Sequence, residues 1–134
     1  MTDFSSLERS HGDTFGGGPV LDAATIAGLQ DLGGEDDPGL LLELIDLFLE
    51  DAEERVNTIQ EAIAKDDIET VGKMAHALKS ASANLGALGF SESCRTLELT
   101  AREGSQPVGD LTKNTCEMYG EVRDVLNQLR QEAS

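Results

Sequence analysis

From Leu41 onward apolar side chains return every three or four residues. Leu41, Leu44, Ile45, Phe48, Ala52, Val56, Ile59 and Ile63 trace one face of a long helix that ends near Lys65. Asp37 followed by Pro38 marks its start, because a proline at the first helical position lacks only an N–H that has no partner there. A shorter helix precedes it, with Asp22 as N-cap, Leu21 and Ile26 spaced to staple across the cap, and a stop at Gly33-Gly34. Asp66 and Glu69 have capping-box spacing and open a third helix that ends near Gly86. Phe90, Cys94, Leu97 and Ala101 form the stripe of a fourth, ending near Gly104. After Pro107, Asp110 is expected to cap a fifth, whose inner face carries Leu111, Met118, Val122, Val125 and Leu129.

No stretch alternates with period two, so no sheet is expected. Four long amphipathic helices with short links predict an all-α fold: an antiparallel up-down four-helix bundle, with the short additional N-terminal helix covering one end. Residues 1–19 are rich in Ser, Gly and charge, with Gly16-Gly17-Gly18 before Pro19, and predict a flexible N-terminal tail; residues 20–134 form the bundle. His11 lies in that tail, where a solvated side chain is the simpler reading than a ligand.

A length of 134 residues suits one domain with a sizeable core. Aromatic residues make up only 4% and Trp is absent, so that core is aliphatic. The 26 acidic side chains against 10 basic give a net charge of -16, which repels phosphate backbones and anionic lipid. Nucleic acid and membrane surfaces are therefore not expected partners. Cys94 and Cys116 are too few for a disulfide framework or a zinc site, and both fall on apolar stripes as expected buried thiols. The N-terminus has neither a basic start nor an apolar stretch, and no run is long enough to span a bilayer, so a cytoplasmic location is expected. Glu35-Asp36-Asp37 has the charge of a calcium loop without its alternating ligand spacing.

The third helix carries one histidine. At about 100° per residue, Val71, Met74, Leu78, Ala81 and Leu85 fall within roughly 60° of the side opposite His76, so the imidazole points to solvent. Gly72, Ser80 and Ala83 lie within about 40° of it, a floor of small side chains, while Lys73 and Lys79 flank it at about 60°. Neutral imidazole is a competent nucleophile near pH 7, and two ammonium groups in an otherwise acidic chain suit an anion arriving at the ring. The plainer reading is an exposed histidine beside two solubilising lysines. No second His or Cys stands at i+3 or i+4, so no metal site is expected.

The stretch Ala75-His76-Ala77-Leu78-Lys79-Ser80-Ala81-Ser82-Ala83-Asn84-Leu85-Gly86-Ala87 resembles the signature of histidine-containing phosphotransfer domains, H-x-L-K-G-S-S followed by a Gly-Ala turn. The similarity extends to Leu21-Asp22, Phe48, Cys94, Leu97 and Glu98, and covers about residues 20–130. It implies a four-helix bundle whose exposed histidine is phosphorylated on Nε2. On that resemblance His76 is the phosphoryl carrier and Lys79 neutralises and orients the phosphoryl group. Ser80 stands where the family usually has Gly, which keeps the side chain small and adds a hydroxyl. Glu98 falls where relatives carry a Gln or Glu that bonds the other ring nitrogen, fixing the tautomer; read from this sequence alone it could equally be a solvent-facing helix glutamate. Lys73 rests on the helical wheel rather than the motif.

The implied activity is a reversible relay, in which a receiver-domain aspartate donates to His76 and another receiver's aspartate accepts. Gly72, Lys73, Ser80 and Ala83 are the expected docking residues. The expected partners are receiver domains of response regulators or of a hybrid sensor kinase, which supply Mg2+; the chain itself is expected to bind no cofactor and to be a monomer. No G-x-x-x-x-G-K-[ST] loop occurs, so a carrier rather than an ATP-using kinase is expected. The alternative is a non-catalytic binding module that uses the same face without phosphorylation. A helical enzyme has no assembled nucleophile–base pair to support it.

Overall fold

Helix starts and stops in this chain are set by short polar side chains and left-handed glycines. The computed structural model describes residues 14–15, 18–33, 39–104 and 108–133. Asp22 caps α1 (Ala23–Gly33): its Oδ2 accepts the Thr25 backbone N–H at 3.1 Å and the Thr25 hydroxyl at 2.6 Å. Leu21 and Ile26 on either side are fully buried. α2 (Gly39–Ala64) buries Leu41, Ile45, Phe48, Ala52, Val56, Ile59 and Ala62; the expected cap at Asp37-Pro38 lies outside the described residues.

The turn into α3 (Ile68–Asn84) differs from expectation by one residue. Asp66 adopts φ 60 and closes α2, donating its N–H to the Ile63 carbonyl at 3.1 Å. A residue in that left-handed position cannot also cap the next helix. The cap is Asp67, which accepts from the Thr70 hydroxyl at 2.7 Å and the Thr70 N–H at 3.3 Å. Those bonds, the hydroxyl's first, hold the Asp67 carboxyl below the usual range. Glu69, free of any box, pairs with Lys73 at 3.2 Å.

α3 ends at a turn where Gly86 takes φ 80 and donates to the Ala83 carbonyl at 3.0 Å. α4 (Leu88–Glu103) follows, closed by left-handed Gly104, and α5 (Val108–Ala133) completes the chain. Buried Val108 begins α5, so Asp110 sits in its first turn beside the positive helix end rather than at the cap. Thr14–Phe15 and Gly18–Pro19, two-residue strands β1 and β2, pair antiparallel, against the expectation of no sheet. Pairing this short leaves no periodic trace in a sequence. The rest of the tail expected over 1–19, residues 1–13 and 16–17, lies outside the described residues.

α2 contacts α3, α3 contacts α4, α4 contacts α5, and α5 returns to α2; α1 packs on α2. Phe90, Leu41, Ile45, Ile59, Leu78, Leu97, Leu126 and Leu129 fill the centre of that ring of helices. Its outer seams carry polar ties. Tyr119 donates to Glu53 at 2.8 Å, Arg130 meets Asp46 at 3.0 Å, and the Ser93 and Thr115 hydroxyls bond at 2.7 Å. Cys94 is buried and Cys116 half-buried, both as free thiols; burial, with Cys116 nearby, pushes Cys94 up to about 12. The start of α1 is fastened to the α3–α4 turn, where the Asp22 N–H donates to the Gly86 carbonyl at 2.8 Å. Among the described residues no helix is long and apolar enough to cross a membrane.

Candidate functional site

α3 buries Val71, Gly72, Ala75, Leu78 and Ser82 against its neighbours, which turns His76 outward with 56% of its side chain exposed. The Ser82 hydroxyl would be a stranded donor on that inner face, but it donates to the Leu78 carbonyl at 2.6 Å. One flank of the imidazole meets α4. His76 Nδ1 lies 2.8 Å from Glu98 Oε2, and among the described residues no hydrogen bond engages Nε2.

Glu98 is not a solvent-facing glutamate. It sits between Leu97 and Ala101 on the buried stripe of α4 and is 2% exposed. Lys79 Nζ donates to its Oε1 at 3.0 Å, and Arg102 forms an ion pair with it, Nη2 lying 2.7 Å from Oε2. Burial pushes this carboxyl up, but the hydrogen bonds from Lys79 and His76 and the charge of Arg102 outweigh it, so the group is held below the usual glutamate range. An ionised carboxylate can only accept. Nδ1 therefore carries a proton, and in the neutral ring this places the lone pair on Nε2.

The remaining expected residues divide. Lys79 joins the Glu98 cluster, 30% exposed, with its backbone carbonyl accepting from Ser91 at 2.7 Å. Lys73 pairs with Glu69 at the surface instead, and Ser80 is exposed beside a half-buried Ala83. Gly72 is buried: a Cβ there would lie 3.5 Å from Ala101 Cβ and 4.0 Å from the Glu98 carbonyl oxygen. It lines the α3–α4 seam rather than an open floor, because a wheel drawn on α3 alone does not include the helix packed along that flank. Arg102 was missed. It stands one turn beyond Glu98, and i,i+4 spacing on α4 was the available signal.

A cavity of about 780 Å³ opens further toward the start of α3, lined by Ile68, Gly72, Lys73, Ala101, Arg102 and Val108, but it includes neither His76 nor Lys79. The imidazole, 56% exposed, stands outside that cavity on surface that another protein can cover. Among the described residues no group of three or more His, Cys, Asp or Glu side chains is placed to hold a metal.

With an exposed imidazole on α3 beside a buried carboxylate on α4, the chain belongs to the Hpt domain family, whose model matches residues 43–132. Its role is histidine phosphotransfer in phosphorelays. Among solved structures it is similar to histidine-containing phosphotransfer protein B from Pseudomonas aeruginosa PAO1, with 32% sequence identity and a TM-score of 0.75 over 84% of this chain and 96% of that one. No curated protein matches the sequence.

Proposed function

We propose that His76 is the phosphoryl-carrying residue of a relay between receiver domains, accepting from the aspartyl phosphate of one and donating to the aspartate of another. The observation that carries this reading is the 2.8 Å contact between Nδ1 and Glu98, with Nε2 outward. The Nε2 lone pair attacks phosphorus in line; the P–O bond breaks and its electron pair leaves with the receiver's carboxylate. The ring becomes positively charged, its Nδ1–H stays on Glu98 Oε2, and that buried negative charge stabilises it. Lys79 supplies positive charge to the phosphoryl oxygens. The reverse sequence passes the group on.

The receiver brings Mg2+ and most of the catalytic groups, and this chain acts as a carrier with no ATP site of its own. Docking uses the surface around His76, with Lys73, Ser80 and Ala83 at its edge and Gly72 in the seam beneath. The net charge of -16 argues against nucleic acid and anionic membrane as partners. We read the chain as a cytoplasmic monomer. The closed ring of contacts among α2–α5, with Asp46 early in α2 meeting Arg130 late in α5, supports an antiparallel up-down bundle with α1 over one end. In this reading the described residues from Val20 onward form that bundle.

Incubation with a phosphorylated receiver domain tests the assignment. Wild type is expected to gain an acid-labile, base-stable phosphoryl group and His76→Gln none. Equal labelling of the two would overturn it and leave a binding module that uses the same face without chemistry.

A further inference from the structure

Glu98 faces more positive charge than it needs. Lys79 reaches Oε1 from α3 at 3.0 Å, while Arg102, on α4 itself, shares Oε2 with His76 at 2.7 Å and 2.8 Å. With the imidazole neutral, one carboxylate is thus paired with two full cations. Phosphorylation uses the surplus. As the Nε2–P bond forms and the donor's P–O bond breaks, the ring gains one positive charge and carries a dianionic group, a local change of one negative charge.

That balance hides a conflict over Lys79. Its ammonium is bound to Glu98, yet the phosphoryl group on the neighbouring ring needs it. When Lys79 turns away, Oε1 loses its partner, and a carboxylate only 3% exposed recovers little from water. A half-paired buried carboxylate would resist the release or take up a proton, and either response would weaken its hold on Nδ1–H.

We propose that Arg102 is a positioning residue for the phosphoryl relay: its guanidinium keeps Glu98 charged and seated on His76 Nδ1 while Lys79 leaves Oε1 for the phosphoryl group. The inference rests on His76 as the carrier. Arg102 comes from the solvent side, 65% exposed, and belongs to the same helix as Glu98, so its ion pair does not depend on which way Lys79 points. An ordinary exposed i,i+4 pair contributes little. This one differs in that its acceptor is buried and shared with the reactive ring.

Phosphoramidate, a small donor that needs no docking surface, separates this role from partner binding. In N-protonated phosphoramidate the P–N bond breaks as Nε2–P forms, and neutral ammonia leaves with the electron pair, needing no further proton. Labelling of His76 is expected to fall about three- to tenfold in Arg102→Gln and to recover in Arg102→Lys. In a Glu98→Gln background, with no charge left to compensate, Arg102→Gln is expected to change nothing further. The Glu98 carboxyl 13C titration, read by NMR without any phosphoryl donor, is expected to move up in Arg102→Gln and back in Arg102→Lys. Thermal melts establish that each variant is folded. Equal labelling of wild type and Arg102→Gln, or the same fold-loss with and without the Glu98 charge, overturns the proposal. Wild type that takes no label on His76 removes the carrier reading itself, and this inference with it.

Discussion

Replacing Glu98 by alanine separates what the buried carboxylate does for the fold from what it does for the ring. Two hydrogen bonds and one ion pair converge on it, at 2.8 Å, 3.0 Å and 2.7 Å. Charge-assisted bonds of this kind are worth roughly 1.5–3 kcal/mol each when both partners are buried. Here His76, Lys79 and Arg102 are 56%, 30% and 65% exposed, so each freed donor finds water, and the stability share of each contact falls to about 0.2–1 kcal/mol. Removing the carboxylate also ends its own desolvation cost, while a small cavity opens in the α3–α4 seam. The net loss is about 1–2 kcal/mol, a drop in Tm of roughly 4–8 °C for a domain of this size. Transfer is hit harder. The Nδ1–H bond strengthens as the ring becomes cationic, so its full ~1.5–3 kcal/mol counts in the transition state, and labelling slows about ten- to hundredfold. Circular-dichroism melts and the initial rate of labelling from a phosphorylated receiver measure the two effects. A folded Glu98→Ala protein labelled within twofold of wild type would refute the argument that Glu98 orients the imidazole.

The same carboxylate sets an acid limb. Because its folded pKa is depressed, its contribution to stability is complete above the ordinary glutamate value of about 4.3 and is lost as pH falls through the lower folded value; urea unfolding should show the gap between wild type and Glu98→Gln narrowing between pH 6 and pH 3, and a constant gap would contradict this. Gly86→Ala should cost about 2–3 kcal/mol in urea unfolding, since φ is +80 and the new Cβ would meet Thr25 Cβ at 3.0 Å; a loss under ~0.5 kcal/mol would show the turn to be pliable. Lys79→Ala should keep its Tm within a few degrees and slow transfer by about three- to tenfold, and an unchanged rate would take the ammonium out of the phosphoryl step.

Local pattern alone gave much of the site. His76 faces outward because Val71, Ala75 and Leu78 recur on the other side of α3, a relation that depends on helical period and on nothing outside the helix. Asp22 as a cap and Gly104 as a stop were legible for the same reason: each acts on backbone within four residues. Asp66 and Asp67 show where this runs out. Either could cap α3 by composition, and the choice went to Asp67 because the chain needed a left-handed residue at Asp66 to leave α2.

What packing alone decided is the state of α4's polar side chains. Glu98 reads as buried or exposed with equal ease from sequence, because its position on α4 says nothing about which helix lies over it. Once α3 packs there, with Gly72 set close against Ala101, the carboxylate is shut in beneath His76 and Lys79, and Arg102 becomes its outer partner. The amino-acid order thus determined the helices, their apolar faces and the outward imidazole, all short-range consequences of period and capping. The electrostatic environment of that imidazole belongs to tertiary structure, since charges 19 and 22 residues apart interact strongly only after folding has brought them together and displaced the water between them.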